Sequence, residues 1–159
     1  MIDNRYPVSV TVEPLQASSA EAPWIGGDLS AEQCEIRGKR ILLVEDQELV
    51  RAALRMMLEL DDHRVTEASN GAEALNLLTV GQFDIVITDF EMPVMAGNKL
   101  AVGIRLITPS LPILMVTASS GARRDDENPV DVLLNKPLTV TELRWALRKL
   151  LSARPETAG

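Results

Sequence analysis

The sequence predicts an α/β domain in which a parallel sheet is covered by helices on both faces. From Lys39 onward, short apolar runs alternate with segments whose apolar residues recur at helical spacing. The first run, Ile41 to Val44, is continuously apolar, as is typical of a strand buried on both faces. Strands that alternate with helices form parallel sheets with right-handed crossovers. The chain has 159 residues, of which 46% are hydrophobic, and this is enough for one such core.

Five strands and four helices are predicted in alternation. The strands are expected at 41–44, 64–68, 83–88, 112–116 and 131–134, and the helices at about 50–60, 71–80, 97–107 and 140–151. Asn70 and Thr139 each stand three residues before a glutamate, which is the pattern of a capped helix start. Gly81 ends the second helix. The sequence therefore marks the ends of these helices as well as their buried faces.

The segment between the fourth and fifth strands interrupts the alternation. Ala118 to Val130 contains only three apolar residues, and it includes Gly121 and Pro129, which disfavour a helix. So few apolar side chains could not anchor an amphipathic helix. We therefore expect a degenerate or mobile segment where a fourth crossover helix would otherwise lie.

The two ends of the chain differ in composition from the domain, which is expected at 39–152. Residues 1–38 carry six acidic and two basic residues among many Pro, Ser, Ala and Gly, which predicts a disordered acidic extension. Within it, Val8 to Val12 alternates like a strand, and Ser30 to Gln33 could open one helical turn. Residues 153–159 are expected to form a flexible tail.

The composition indicates which classes of partner and which cellular compartment to expect. The net charge of −7 disfavours nucleic-acid binding, because such proteins need a basic face. The single cysteine, Cys34, can form no internal disulfide. The apolar runs are far shorter than the roughly 20 residues of a membrane span, and the N-terminus does not resemble a signal peptide. We therefore expect a cytoplasmic protein with no nucleic-acid or membrane partner.

Reactive side chains follow four of the predicted strands. Glu45 and Asp46 come after the first strand, Asp89 after the third, Thr117 after the fourth and Lys136 after the fifth. Ligands of open parallel sheets bind beyond the carboxyl ends of the strands, so we expect these residues to converge. Carboxylates this close raise one another's pKa unless a cation neutralises them. Because the ligands are all oxygens, the expected cation is Mg²⁺.

Four short motifs carry these residues. They are Ile41-Leu42-Leu43-Val44-Glu45-Asp46, Thr88-Asp89-Phe90-Glu91-Met92-Pro93 with Gly97 following, Val116-Thr117-Ala118, and Lys136-Pro137. Each is weak alone, but in this order and on this pattern of strands and helices they are specific. From about Lys39 to Ser152 the sequence resembles the response-regulator receiver family. The resemblance implies a flavodoxin-like, doubly wound five-stranded parallel sheet with the strand order 2-1-3-4-5.

The resemblance also implies a role for each site residue. Asp89 would be the nucleophile that becomes an aspartyl phosphate, with a histidine kinase or a histidine phosphotransfer protein as the donor. Lys136 would place a positive charge on the phosphoryl oxygens, and Thr117 would hydrogen-bond one of them. The ligands of Mg²⁺ would be Glu45, Asp46, Asp89 and the backbone carbonyl of Glu91.

The sequence departs from the family pattern at two further positions. Leu133 stands where most receivers carry Phe or Tyr, so a switch based on an aromatic ring cannot operate. Ala96 replaces a frequent Asp before Gly97, in a loop. We therefore expect phosphorylation to act through residues 118–130.

Only eight residues follow Leu151, so we expect a stand-alone response regulator that is not an enzyme and that signals by contact with a downstream protein. Two alternatives stay open. One is a Mg²⁺-dependent phosphatase with an aspartyl-phosphate intermediate. Such enzymes use a second Asp as a general acid two residues after the nucleophile, at the position that Glu91 occupies here. The other is a receiver-like module that binds its partner without phosphorylation.

Overall fold

The computed structural model describes residues 36–152, which form five strands and four helices. The elements are β1 (Arg40–Val44), α1 (Glu48–Glu59), β2 (Arg64–Ala68), α2 (Gly71–Val80), β3 (Ile85–Thr88), α3 (Gly97–Ile107), β4 (Ile113–Thr117), β5 (Val132–Asn135) and α4 (Val140–Leu151). The predicted alternation is confirmed, with strand ends displaced by one or two residues. The predictions for the acidic extension up to residue 35 and for the tail at 153–159 lie outside the described residues.

All five strands pair in parallel, in the order β2-β1-β3-β4-β5, which confirms the flavodoxin-like topology. The register aligns the carboxyl ends of the central strands. Val44 is opposite Thr88, and Thr117 is opposite Asn135. The residues that follow these positions therefore lie along one edge of the sheet, where the strand order places β1 between β2 and β3.

The core has two layers because successive side chains of a strand point to opposite faces of the sheet. One face presents residues such as Leu42 and Ile113 to α2 and α3, and the other presents Ile41 and Leu114 to α1 and α4. The four residues from Ile41 to Val44 are fully buried, as expected for a strand covered on both sides. Among residues 36–152, no helix is long and apolar enough to cross a membrane.

The predicted helix caps are confirmed at both positions. Asn70 accepts a hydrogen bond from the backbone N–H of Glu73 at 2.9 Å, and α2 ends before Gly81. Thr139 and Glu142 form a reciprocal capping box at the start of α4. These bonds satisfy backbone donors that a helix start would otherwise leave without partners.

The connection from β4 to β5 contains no helix, which confirms the prediction that no regular crossover helix forms in this segment. A turn between Asp125 and Asn128 replaces it. The Asn128 side chain is buried, and its Nδ2 donates to the carbonyl of Arg123 at 2.6 Å. From α3, Arg105 donates to the carbonyl of Pro129 and to the carboxylate of Asp131. Polar contacts therefore hold a segment that has too few apolar side chains to pack as a helix.

Candidate functional site

Three carboxylates lie together at the carboxyl edge of the sheet. Glu45 and Asp46 follow β1 and Asp89 follows β3, and each offers an oxygen within 4.8 Å of the others. The hydrogen bond from the Asp89 N–H to the carbonyl of Val44 continues the ladder between β1 and β3, at 3.1 Å. The parallel register thus brings together the acids that the sequence predicted to converge.

Lys136 completes the cluster from the residue after β5. Its Nζ lies 2.7 Å from Oε2 of Glu45 and 3.3 Å from Oδ2 of Asp89. Its backbone N–H donates to the carbonyl of Thr117 at 2.8 Å, which ties the start of the β5–α4 loop to the end of β4. The ammonium group therefore bridges two carboxylates that come from different strands.

Burial and charge act in opposite directions on this pair. Burial raises the pKa of Glu45, and the hydrogen bonds from Lys136 and from the N–H of Gln47 offset only part of that rise. Burial alone would lower the pKa of Lys136, but the hydrogen bond to Glu45 and the charges of Asp89 and Glu45 outweigh it, so its pKa is raised. The side chain of Lys136 is therefore protonated at neutral pH.

Asp46 has the feature that best fits a cation. Its Oδ1 is buried and has no hydrogen-bond partner in the structure. A buried carboxylate oxygen without a partner is costly, because it has lost water and gained no donor. A hard divalent cation held by Asp46 and its two neighbouring carboxylates would supply the missing partner. The residues present therefore fit a metal ion of this class.

The backbone around Asp89 is tightly packed. Oδ1 of Asp89 accepts a hydrogen bond from the N–H of Phe90 at 2.7 Å, while Oδ2 faces Lys136. The Asp89 carbonyl lies so close to the start of α3 that a Cβ added to Gly97 would stand 1.9 Å from the oxygen. In the sequence Gly97 is only one residue of a motif, and its steric role depends on a contact that the sequence does not show.

Of the remaining residues, Thr117 ends β4 and Glu91 follows β3 at the carboxyl edge of the sheet, whereas Leu133 lies within β5. Thr117 is fully buried, and its Oγ1 accepts a hydrogen bond from the N–H of Ser119 at 3.0 Å. Glu91 stands two residues after Asp89 with an exposed side chain, so only its backbone can take part in the buried cluster. Leu133 is half-buried and pairs in register with Met115.

One contact of the acidic pair was not predicted. Nη1 of Arg51, from the first turn of α1, donates to the backbone carbonyl of Glu45 at 2.7 Å. In the sequence Arg51 is one of several charged residues on an amphipathic helix, so no local signal distinguishes it. Its contact arises only when α1 packs beside the end of β1.

The chain is thus an α/β domain with three carboxylates and a lysine at the carboxyl edge of its parallel sheet. Residues 41–148 match the family model described as the response regulator receiver domain. The chain therefore belongs to the response regulator receiver domain family of two-component signalling.

Among curated proteins, the chain is similar to sensor kinases and to transcriptional regulators. It is 37% identical to the sensor histidine kinase AruS of Pseudomonas aeruginosa over 125 residues, which are 74% of this chain and 12% of that protein. It is 32% identical to the transcriptional regulatory protein PrrA of Mycobacterium tuberculosis over 128 residues, which are 77% of this chain and 54% of that protein. The chain thus spans about an eighth of the first relative and about half of the second.

Two solved receiver structures resemble this one closely. The response regulator TrrA from Thermotoga maritima, in complex with Mg²⁺ and BeF, is 35% identical, with a TM-score of 0.68 over 71% of this chain and 99% of that one. The receiver domain of sensor histidine kinase PA1611 from Pseudomonas aeruginosa PAO1, with a magnesium ion in its active-site cleft, is 26% identical, also with a TM-score of 0.68. That match covers 72% of this chain and 98% of that one.

Proposed function

We propose that Asp89 accepts a phosphoryl group from a histidine kinase or a histidine phosphotransfer protein, and that the modified domain signals by protein contact. The observation that carries this proposal is the position of Asp89. It is buried between a lysine ammonium 3.3 Å away and an aspartate whose buried oxygen has no partner. Membership of the receiver family supports the same function.

The transfer needs little covalent machinery from the protein. A carboxylate oxygen of Asp89 forms a bond to phosphorus while the bond from phosphorus to the donor imidazole breaks, and the imidazole nitrogen keeps the electron pair. Such reactions depend mainly on in-line positioning and on charge stabilisation. Glu45, Asp46, Asp89 and the carbonyl of Glu91 would hold Mg²⁺, which would supply positive charge to offset the negative charge of the phosphoryl group.

Lys136 and Thr117 stabilise the product. Lys136 already contacts Asp89, so its ammonium group is within reach of a phosphoryl oxygen without a large movement. Oγ1 of Thr117 accepts a hydrogen bond from the N–H of Ser119, so the hydroxyl hydrogen of Thr117 is still able to donate. A hydrogen bond from Thr117 to the phosphoryl group would pull on Ser119 and the segment after it.

This coupling makes residues 118–130 the proposed output of the domain. Leu133 supplies no aromatic ring, so rotation of a ring cannot carry the signal. Of residues 118–130, only Asn128 and Val130 are buried. A loop with so few apolar anchors can rearrange at small cost, which suits a two-state element that a downstream protein recognises.

The test is phosphorylation by a small phosphodonor, acetyl phosphate, in the presence of Mg²⁺. The parent protein should gain one phosphoryl mass, and Asp89→Asn should gain none. Asp126→Asn, which changes an exposed aspartate of the β4–β5 connection, is the matched control and should be modified like the parent. If Asp89→Asn is modified as readily as the parent, the assignment is wrong.

A further inference from the structure

Arg51 joins three elements behind the acidic pair. Nη1 donates to the carbonyl of Glu45 at 2.7 Å, and Nε lies 3.3 Å from Oε1 of Glu67 on β2. The side chain of Arg51 is only 19% exposed. A guanidinium group presents several donors in a rigid plane, so it can hold two oxygens in a defined relative position.

The backbone of Glu45 is bonded on both sides as a result. Its N–H donates to the carbonyl of Ala68, the last residue of β2, at 3.1 Å, and its carbonyl accepts from Arg51. Glu67, which pairs with Arg51, immediately precedes Ala68. Glu45 is therefore hydrogen-bonded to β2 through its N–H and to α1 through its carbonyl, and these bonds involve neither side chain of the acidic pair.

We infer that Arg51 is a positioning residue for the metal site. It orients the backbone from which the Glu45 and Asp46 carboxylates project, and it thereby raises the affinity of the site for Mg²⁺. This inference rests on the proposed function, which makes the acid cluster a Mg²⁺ site. Residues that orient metal ligands without touching the metal commonly change metal affinity by about 10- to 100-fold when they are replaced.

The positive charge of Arg51 has the opposite effect on Mg²⁺ affinity, because it lowers that affinity. A guanidinium group near a cation site repels the cation, so charge alone predicts that Mg²⁺ binds more tightly once Arg51 is neutralised. Loss of positioning predicts weaker binding. The sign of the change therefore separates the two effects.

Arg55 is a matched control one turn further along α1. Its Nη1 lies 3.0 Å from Oε2 of Glu67, and its Nε lies 3.2 Å from Oε1 of Glu59. Arg55 thus shares a partner with Arg51, and among the described contacts it has none with Glu45 or Asp46. Arg55→Gln removes a similar charge from the same helix and leaves the carbonyl of Glu45 bound.

The experiment is a calorimetric titration of the whole chain with MgCl₂ alone, for the parent and for Arg51→Gln, Arg51→Lys and Arg55→Gln, with a thermal melt of each sample. We expect the Kd for Mg²⁺ to rise by about 10-fold in Arg51→Gln. It should rise less in Arg51→Lys, whose ammonium group can still donate to one oxygen, and it should stay within about twofold in Arg55→Gln. If Arg51→Gln does not fold, the comparison of Arg51→Lys with Arg55→Gln carries the test.

Two results would overturn the inference while the proposed function stands. One is an Arg51→Gln protein that binds Mg²⁺ as tightly as the parent or more tightly, and the other is an equal loss in Arg51→Gln and Arg55→Gln. A parent that binds Mg²⁺ but takes no phosphoryl group from acetyl phosphate would overturn the proposed function alone. A parent that binds no Mg²⁺ would overturn both.

Discussion

Gly97 offers the sharpest steric test of the site, because its substitution must move the backbone of Asp89. In Gly97→Ala the new Cβ would stand 1.9 Å from the Asp89 carbonyl oxygen. Carbon and oxygen atoms in close contact lie about 3.3 Å apart, so α3 or the end of β3 must shift by roughly 1.4 Å. Overpacking against side chains lowers the free energy of unfolding by about 1–3 kcal/mol. The atom in the way here belongs to the backbone, which cannot move aside as a side chain can, so we expect Gly97→Ala to lower it by about 3 kcal/mol. The melting temperature should fall by roughly 12 °C, at about 4 °C per kcal/mol.

Gly103→Ala is the matched control within the same helix. The atoms nearest to a Cβ at position 103 would be the terminal methyl carbons of Leu75, at 3.2 and 3.3 Å, and a flexible side chain can move aside. Alanine also has a helix propensity about 1 kcal/mol better than that of glycine, so this variant should be as stable as the parent or nearly so. Urea and thermal unfolding of the three proteins provide the measurement. A Gly97→Ala protein that melts with the parent would refute the steric argument.

Two further predictions concern the pH dependence of stability and the β4–β5 connection. His63 is buried, its Nδ1 accepts a hydrogen bond from the N–H of Lys39, and burial lowers its pKa. The unfolded chain therefore binds this proton at higher pH than the folded protein, so the free energy of unfolding falls as the pH drops through the ordinary histidine value of 6.5. In His63→Asn the free energy of unfolding should fall less than in the parent between about pH 7.5 and about pH 5.5 in urea titrations, and identical pH slopes would contradict the assignment. Asn128→Ala removes the buried hydrogen bond to the carbonyl of Arg123. Amide exchange at residues 128 and 130 should then accelerate by about 5-fold while the sheet stays protected, since one such bond is worth about 1 kcal/mol. Asp126→Ala, at an exposed position, should leave exchange there unchanged, and equal rates in Asn128→Ala and the parent would show that the side chain does not hold the loop.

Local patterns in the sequence were sufficient for the order and type of the elements. The apolar run from Ile41 to Val44 and the capping box at Thr139 act over a few residues, so they are visible without knowledge of the fold. The absence of a helix after Ala118 was predictable for the same reason, because a helix without apolar residues at helical spacing has no face to bury. The convergence of Glu45, Asp46 and Asp89 followed from one general rule about the carboxyl ends of parallel strands.

Only the tertiary structure decided which atoms meet at that edge. The contact between Lys136 and Glu45 spans 91 residues of sequence, and it depends on the register of β1, β3, β4 and β5 together. The burial of Asn128 likewise depends on how the β4–β5 connection lies over the sheet, since a polar residue in a loop is exposed by default. The roles of Gly97 and Arg51 arise from the packing of α3 and α1 against strand ends. Sequence periodicity specifies which face of a helix is buried, but contacts between backbone atoms of different elements depend on ångström-scale placement, which only the packed structure determines.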